Sequence, residues 1–490
     1  MYNARMPSFV FTLSTAWRRL ATAQQRMLAV IGAMLLAVLV RAPFFRWPLI
    51  ADEGVYAYTA HWWSRGYALY SADLWMDRPQ AIFVAYRLGM GLLGGSTAAL
   101  RLWGALWVAA TVPFVYLIAR RLFDERAAWL AMALYAVYSM SPHIEGFTAN
   151  AELFMLLPAT ASLWLLLRGR PGWAGLLAGL AVMLKPSGVS AGLLAMAVLW
   201  REHAPWSAYL RYLAAALLAP FASLIHGLIT VGWADYAYAL FFSRLSIQRP
   251  WPLAMFLSNL WLTAPVWLPL AVAGLLGRTL LPRSSRRFLA LWLLTALPGM
   301  AMGGGWYRHY FAQIVPPLAV LAAASLKALY AAGSRQRQVW ATTLLCTLAL
   351  SAGPYMLMSP HRGAEAVFQK PMVTYANEVS AWVRAHSTPN DTIYVAYEGA
   401  QICYLSGRRS ANPYLFAIHV NYLPGVYDGL VAQIEAAEPR YVLTTIWRGA
   451  LSDPDERFTL ALHEHYTLVD TIDLVEIYAR NGEADALLAP

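Results

Sequence analysis

Apolar runs of spanning length alternate with short polar breaks along most of this chain. On the rule that a crossing takes roughly 20 mostly apolar residues, the pattern predicts about eleven transmembrane helices. The first runs from about Met27 to Phe45, the second near Ala98 to Ala119, the third near Ala127 to Met140 and the fourth near Leu153 to Leu167. Ala174 to Leu184 and Val189 to Trp200 are each too short to cross straight, and Lys185-Pro186-Ser187-Gly188 joins them as a broken hairpin. Later runs lie near Tyr209 to Val231, Met255 to Leu276 and Phe288 to Met302, then through Pro316-Pro317 and from Val339 to Leu357. Between the first two runs lies a long loop, Arg46 to Thr97. Its rows Gly54 to Trp63 and Ala81 to Leu93 mix aromatic with polar residues, as helices lying in a membrane interface do.

After about Ser359 the pattern changes. Val379 to Ala385 and Leu430 to Ala437 carry helical periodicity, Thr392 to Tyr397 and Tyr441 to Thr445 alternate as strands, and Val475 to Tyr478 reads as an edge strand. The expected organisation is a cytoplasmic segment over 1–26, a transmembrane domain over 27–358 with its first outer loop at 46–97, and an α/β domain over 359–490. No internal repeat or low-complexity segment interrupts it.

Composition agrees with a polytopic α-helical membrane protein. The 490 residues are 59% hydrophobic and only 13% charged, with mean hydropathy +0.46, which excludes an ordinary soluble domain. A net charge of +11 would suit nucleic acid, but the basic residues cluster between apolar runs, as the positive-inside rule predicts. Arg5, Arg18, Arg19 and Arg26 precede the first run, and no small-residue cleavage site follows it, so a retained signal anchor with a cytoplasmic N-terminus is expected. An odd number of crossings then places the tail outside. Cys346 and Cys403 form no disulfide framework and no metal pattern.

Sorting charges by side changes the picture. The outer loops hold Asp52, Glu53, Asp77, Arg78, Glu145, Glu152, Lys185, Arg244, Arg249, Arg308 and His309. Positive-inside topology predicts few cations there, so these call for anionic partners. Lys185 is either a snorkelling lysine at a helix end or a buried charge with a partner. Asp52 is either the N-cap of a helix beginning at Glu53 or a reacting carboxylate, and the two roles are compatible. Glu145 reads as a solvated loop acid, whereas Glu152 either faces a cavity or sits in an N-terminal turn. Arg308-His309 follows three glycines, so it either reaches a ligand at the membrane surface or belongs to an interfacial belt with Trp306, Tyr307 and Tyr310. Neither His309 nor His143 has a partner at metal-ligand spacing. Together the outer acids and cations suit a substrate with an anionic headgroup and a lipid tail: cations stabilise a departing phosphate, and a carboxylate takes the proton of an incoming hydroxyl or amine.

The order of these motifs resembles the GT-C glycosyltransferases. Asp52-Glu53 with Tyr56 nearby is followed by Asp77-Arg78-Pro79-Gln80, Ala149-Asn150-Ala151-Glu152, the run from Gly179 to Lys185-Pro186, and Arg308-His309-Tyr310. The likeness covers about residues 27–330 and is to the branch of protein O-mannosyltransferases and bacterial lipid A aminoarabinose transferases. It implies Asp52 as catalytic carboxylate with Glu53 beside it, Glu152 as a second acid, and Arg78, Lys185, Arg308, His309 and Tyr310 near the lipid phosphate. Tyr56, Asp77, Arg244 and Arg249 are further substrate-contact candidates. The family's Lys-Pro-Pro becomes Arg78-Pro79-Gln80 here, which keeps the cation and loses the second proline.

The expected function is transfer of one sugar from a polyprenyl-phosphate donor to a glycolipid, polysaccharide or protein acceptor on the extracytoplasmic face of the inner membrane. The resemblance implies no nucleotide, no metal and no other cofactor, and assigns the tail to the extracytoplasmic α/β domains of bacterial members. The rival reading is a non-enzymatic transporter or flippase of a polyprenyl-linked glycolipid. Transporters tend to carry paired broken helices in related halves, whereas one broken hairpin is visible here.

Overall fold

The computed structural model describes residues 22–247, 252–396, 398–445 and 452–488. A helical membrane domain leads into a small mixed α/β domain. Helices occupy each of the predicted apolar runs, but their lengths vary. Thr22–Phe44, Thr97–Leu122, Trp206–Thr230 and Arg308–Ala331 are long and apolar enough to cross a membrane. Pro252–Leu262 and Ala264–Leu280, bent by 72°, make a fifth crossing if taken as one span. Others are shorter, such as Glu125–Tyr138 with 14 residues and Ala151–Leu167 with 17. The protein is therefore a multi-pass membrane protein; among the described residues four helices, or five with the bent pair taken as one span, are long and apolar enough to cross.

Helix ends follow local chemistry. Ser96 and Asp124 cap their helices, each side chain accepting a backbone N–H three residues on. Pro186 forces the residue before it out of the helical region. Lys185 accordingly stands extended at φ −153° and ψ 130°, and ends Pro171–Leu184. This break is the predicted broken hairpin, completed by Val189–Arg201.

Both helices expected in the first loop are present, Ala51–Trp63 and Ala81–Leu93. The second buries Ile82, Phe83, Ala85, Tyr86 and Gly89 while Val84, Leu88 and Leu92 stay exposed at 41, 54 and 70%. That spacing of four makes one apolar outer stripe, suited to lipid.

The tail folds around five strands: β1 Thr392–Val395, β2 Arg409–Ser410, β3 Tyr441–Thr445, β4 Tyr466–Ile472 and β5 Val475–Arg480. Their order is β2-β1-β3-β5-β4. β1 runs parallel to β2 and β3, while β5 runs antiparallel to β3 and β4. The strand expected at the edge, β5, is thus internal. β4 forms the edge; its mostly exposed side chains leave it without the alternation that marks a half-buried strand.

The tail is fastened to the first loop. Tyr58 hydroxyl accepts the Ser410 N–H at 2.9 Å, Tyr404 hydroxyl donates to the Gly95 carbonyl at 2.7 Å, and the Arg409 guanidinium lies 4.3 Å over the Tyr67 ring. At Gly54 the Ala51–Trp63 helix approaches the backbone of Gln401 so closely that a Cβ would overlap it. Gly54→Val is expected to destabilise this interface by about 1–3 kcal/mol. Limited proteolysis should then release the tail earlier than in the wild type.

Candidate active site

The first turn of Ala51–Trp63 carries both adjacent acids, and they do different things. Ile50, not Asp52, is the N-cap, and Glu53 reaches back to accept the Ile50 N–H at 3.0 Å. Glu53 also accepts the Ala149 N–H at 2.6 Å and pairs with Arg101 at 2.6 Å, both side chains being fully buried. Arg101 in turn donates to the Pro48 carbonyl at 2.8 Å. Glu53 therefore ties the start of this helix to the segment before Ala151–Leu167, and it is not among the residues that line the cavity Asp52 faces.

Asp52 faces a cavity of about 1200 Å³. Asp77, Arg78, Lys185, Arg244, Arg308, His309 and Tyr310 line the same cavity. Residues from five separate stretches of sequence thus meet in one place. Glu152 is fully buried against two of the lining residues, at 2.8 Å from Lys185 Nζ and 3.8 Å from His309 Nε2. Tyr56 is also fully buried, and its hydroxyl has no hydrogen-bond partner among the described residues. Arg249 lies outside the described residues.

Most of the lining charge is paired. Asp77 Oδ1 is 2.5 Å from Arg78, and Oδ2 is 3.0 Å from Arg244 and 3.4 Å from His419. Burial would raise the Asp77 carboxyl, but the charges of Arg244, Arg78 and His419 outweigh it and hold the group well below the usual carboxylate range. Glu145, expected as a solvated loop acid, has a side chain only 12% exposed and pairs with Arg308 at 3.1 Å and His309 at 2.8 Å. Burial again acts upward, yet the His309 hydrogen bond and the nearby cations keep Glu145 down to about 2. Lys370 and Glu398 pair at 2.9 Å on the cavity wall. Among the described residues Asp52 alone of the lining carboxylates has no cation within ion-pair distance; Asn150 Nδ2 lies 3.5 Å away.

The same lining includes an apolar part made by Leu217, Phe221, Leu224, Leu240, Phe241 and Ile247. The lost second proline is also explained. Gln80 hydrogen-bonds Ser223 and lies 3.1 Å from His226, which fastens the loop carrying Arg78 to this apolar wall.

The tail supplies lining residues that sequence reasoning did not name: Phe368, Lys370, Glu398, Phe416 and His419. Arg78 lies 5.5 Å over the Phe416 ring, and His419 packs edge-on against Trp75. Lys370 alone carried a readable signal, since it precedes Pro371 and stands extended as Lys185 does. The others meet the cavity through tertiary packing.

The chain is similar to known proteins in sequence and in fold. The family model for dolichyl-phosphate-mannose-protein mannosyltransferase matches residues 77–226. An undecaprenyl phosphate-alpha-4-amino-4-deoxy-L-arabinose arabinosyl transferase of Pseudomonas aeruginosa is 28% identical over 286 residues, which is 50% of this chain and 49% of the relative. Its counterpart from Erwinia tasmaniensis is 26% identical over 279 residues, or 51% and 49%. The chain spans about half the length of the curated relatives it matches. The crystal structure of ArnT from Cupriavidus metallidurans bound to undecaprenyl phosphate superimposes with a TM-score of 0.62 at 14% identity, covering 96% of this chain and 100% of that one. The Archaeoglobus fulgidus oligosaccharyltransferase AglB, in complex with an inhibitory peptide and a dolichol-phosphate, gives 0.51 at 14% identity over 93% and 74%. Family match, sequence relatives and fold thus point one way, to the GT-C superfamily of membrane glycosyltransferases.

Proposed function

We propose that this protein moves a single sugar from a polyprenyl-phosphate-linked donor to an acceptor on the extracytoplasmic face of the inner membrane. The observation that carries this reading is the make-up of the cavity: its lining combines apolar side chains, the cations Arg78, Lys185, Arg244 and Arg308, and Asp52, a carboxylate with no ion-pair partner among the described residues. Asp52 takes the proton of the acceptor hydroxyl or amine as that atom bonds to the anomeric carbon. The bond from the anomeric carbon to the phosphate oxygen breaks, and the leaving polyprenyl phosphate keeps the electron pair. Arg78, Lys185 and Arg308 stabilise the charge that builds there. Tyr310, His309 and Arg244 shape the headgroup pocket, and Glu152 holds Lys185 in place.

The sidedness of the charges supports an outer active site and a cytoplasmic N-terminus. The tail, over 359–490, lies on the same face because its side chains line the cavity. Acceptors consistent with a cavity walled partly by the tail are a glycolipid, a polysaccharide or a protein. The relatives named for arabinosyl and mannosyl transfer favour an enzyme over a flippase.

Arg78→Gln tests the phosphate assignment. Asp77 keeps Arg244 and His419 in that variant, so folding is expected to persist. Transfer from a polyprenyl-phosphate sugar should fall about 10²-fold, the usual worth of one donor aimed at developing charge. An unchanged rate with an intact fold would remove Arg78 from the phosphate site.

A further inference from the structure

His309 stands between two acids from different elements. Its Nδ1 lies 2.8 Å from Glu145 Oε2, on the loop after Glu125–Tyr138, and its Nε2 lies 3.8 Å from Glu152 Oε1, in the first turn of Ala151–Leu167. Each acid also has a second cation: Arg308 is 3.1 Å from Glu145, and Lys185 is 2.8 Å from Glu152. Tyr307 stacks on the imidazole at 5.7 Å between centroids and Tyr310 meets it edge-on at 5.0 Å, so the ring is held in this orientation.

A neutral imidazole has one N–H, and its other nitrogen offers a lone pair. In this orientation the lone pair would point at a carboxylate whichever tautomer formed. A doubly protonated ring donates to Glu145 and puts its charge within ion-pair distance of Glu152. With His309 charged, three cations face two carboxylates and the cluster is net positive; with His309 neutral the charges cancel. Asp52, also on the cavity wall, favours the charged ring, while Arg308 and Lys185 oppose it.

We propose that His309 is a charged bridge between Glu145 and Glu152 that shares the neutralisation of both acids and so leaves Arg308 and Lys185 available to an anionic headgroup. It is a positioning residue in this role, not a general base. The role rests on the donor-phosphate reading above, and the experiment separates the two.

Nitrogen NMR of the intact protein, with ring-labelled histidine, reads the protonation directly. The His309 signal is assigned by its loss in His309→Gln or, should that variant fail to accumulate, by its shift in Tyr307→Phe. Both ring nitrogens are expected to carry protons at about pH 7. Binding of a short polyprenyl monophosphate is measured alongside. It should weaken about tenfold in His309→Gln, recover in His309→Arg, and weaken in the wild type as rising pH removes the ring proton. A neutral ring at about pH 7, or equal affinity in wild type and His309→Gln, overturns the bridge. A charged ring in a protein that binds no polyprenyl phosphate supports the bridge and overturns the donor reading instead.

Discussion

Asp52→Asn is expected to abolish sugar transfer, with a loss of about 10²–10⁴-fold, the range for removing a general base. Thermal stability of the solubilised protein should hardly change. Asp52 has no ion-pair partner among the described residues, and its contact with Asn150 at 3.5 Å is too long for a strong hydrogen bond. Asparagine keeps the shape and removes the proton acceptor. Donor binding should persist, because Arg78, Lys185 and Arg308 are untouched. Transfer assays and ligand-dependent melting of the same preparation check both halves, and full activity in this variant would remove Asp52 from the chemistry.

The neighbouring acid should behave in the opposite way. Glu53→Gln or Arg101→Met is expected to cost about 3–5 kcal/mol of stability, because each leaves a buried polar or charged group without its partner. Arg101 Nη2 donates to Glu53 Oε2 at 2.7 Å, and Nε lies within ion-pair distance of Oε1 at 2.6 Å. The same carboxylate holds the N–H groups of Ile50 and Ala149. Losing it loosens the two segments that present Asp52 and Asn150, so activity falls together with stability. The double variant should cost less than the two single losses added, since the residues share one interaction. Unfolding in detergent measures all three. Additive losses would show that Glu53 and Arg101 act separately.

The difference between these two acids marks what the sequence could and could not disclose. Lys185 was legible because it interrupts an apolar run and precedes a proline, and both features act locally. Glu53 was expected in the chemistry because it adjoins Asp52; its real partner lies 48 residues away on another helix. Glu145 read as a solvated acid because it sits in a short loop between two apolar runs, whereas its buried partner His309 is 164 residues distant. The same limit hid His419 and Phe416, whose place at the cavity depends on how the tail docks on the first loop. Apolar patterning located the membrane helices well, since burial in lipid is a property of each run. Their lengths were less legible: the 72° bend before Ala264 falls inside the single run expected near Met255 to Leu276.

The most direct test of the central claim is transfer of radiolabelled sugar from a panel of purified polyprenyl-phosphate sugars, with envelope extract supplying acceptors. Wild-type protein should cleave the sugar–phosphate bond of at least one donor and label an acceptor or release sugar slowly to water, while Asp52→Asn binds the same donor and leaves it intact. Donors that bind but are never cleaved by either protein, and that cross liposome membranes in its presence, would contradict the account and identify a transporter.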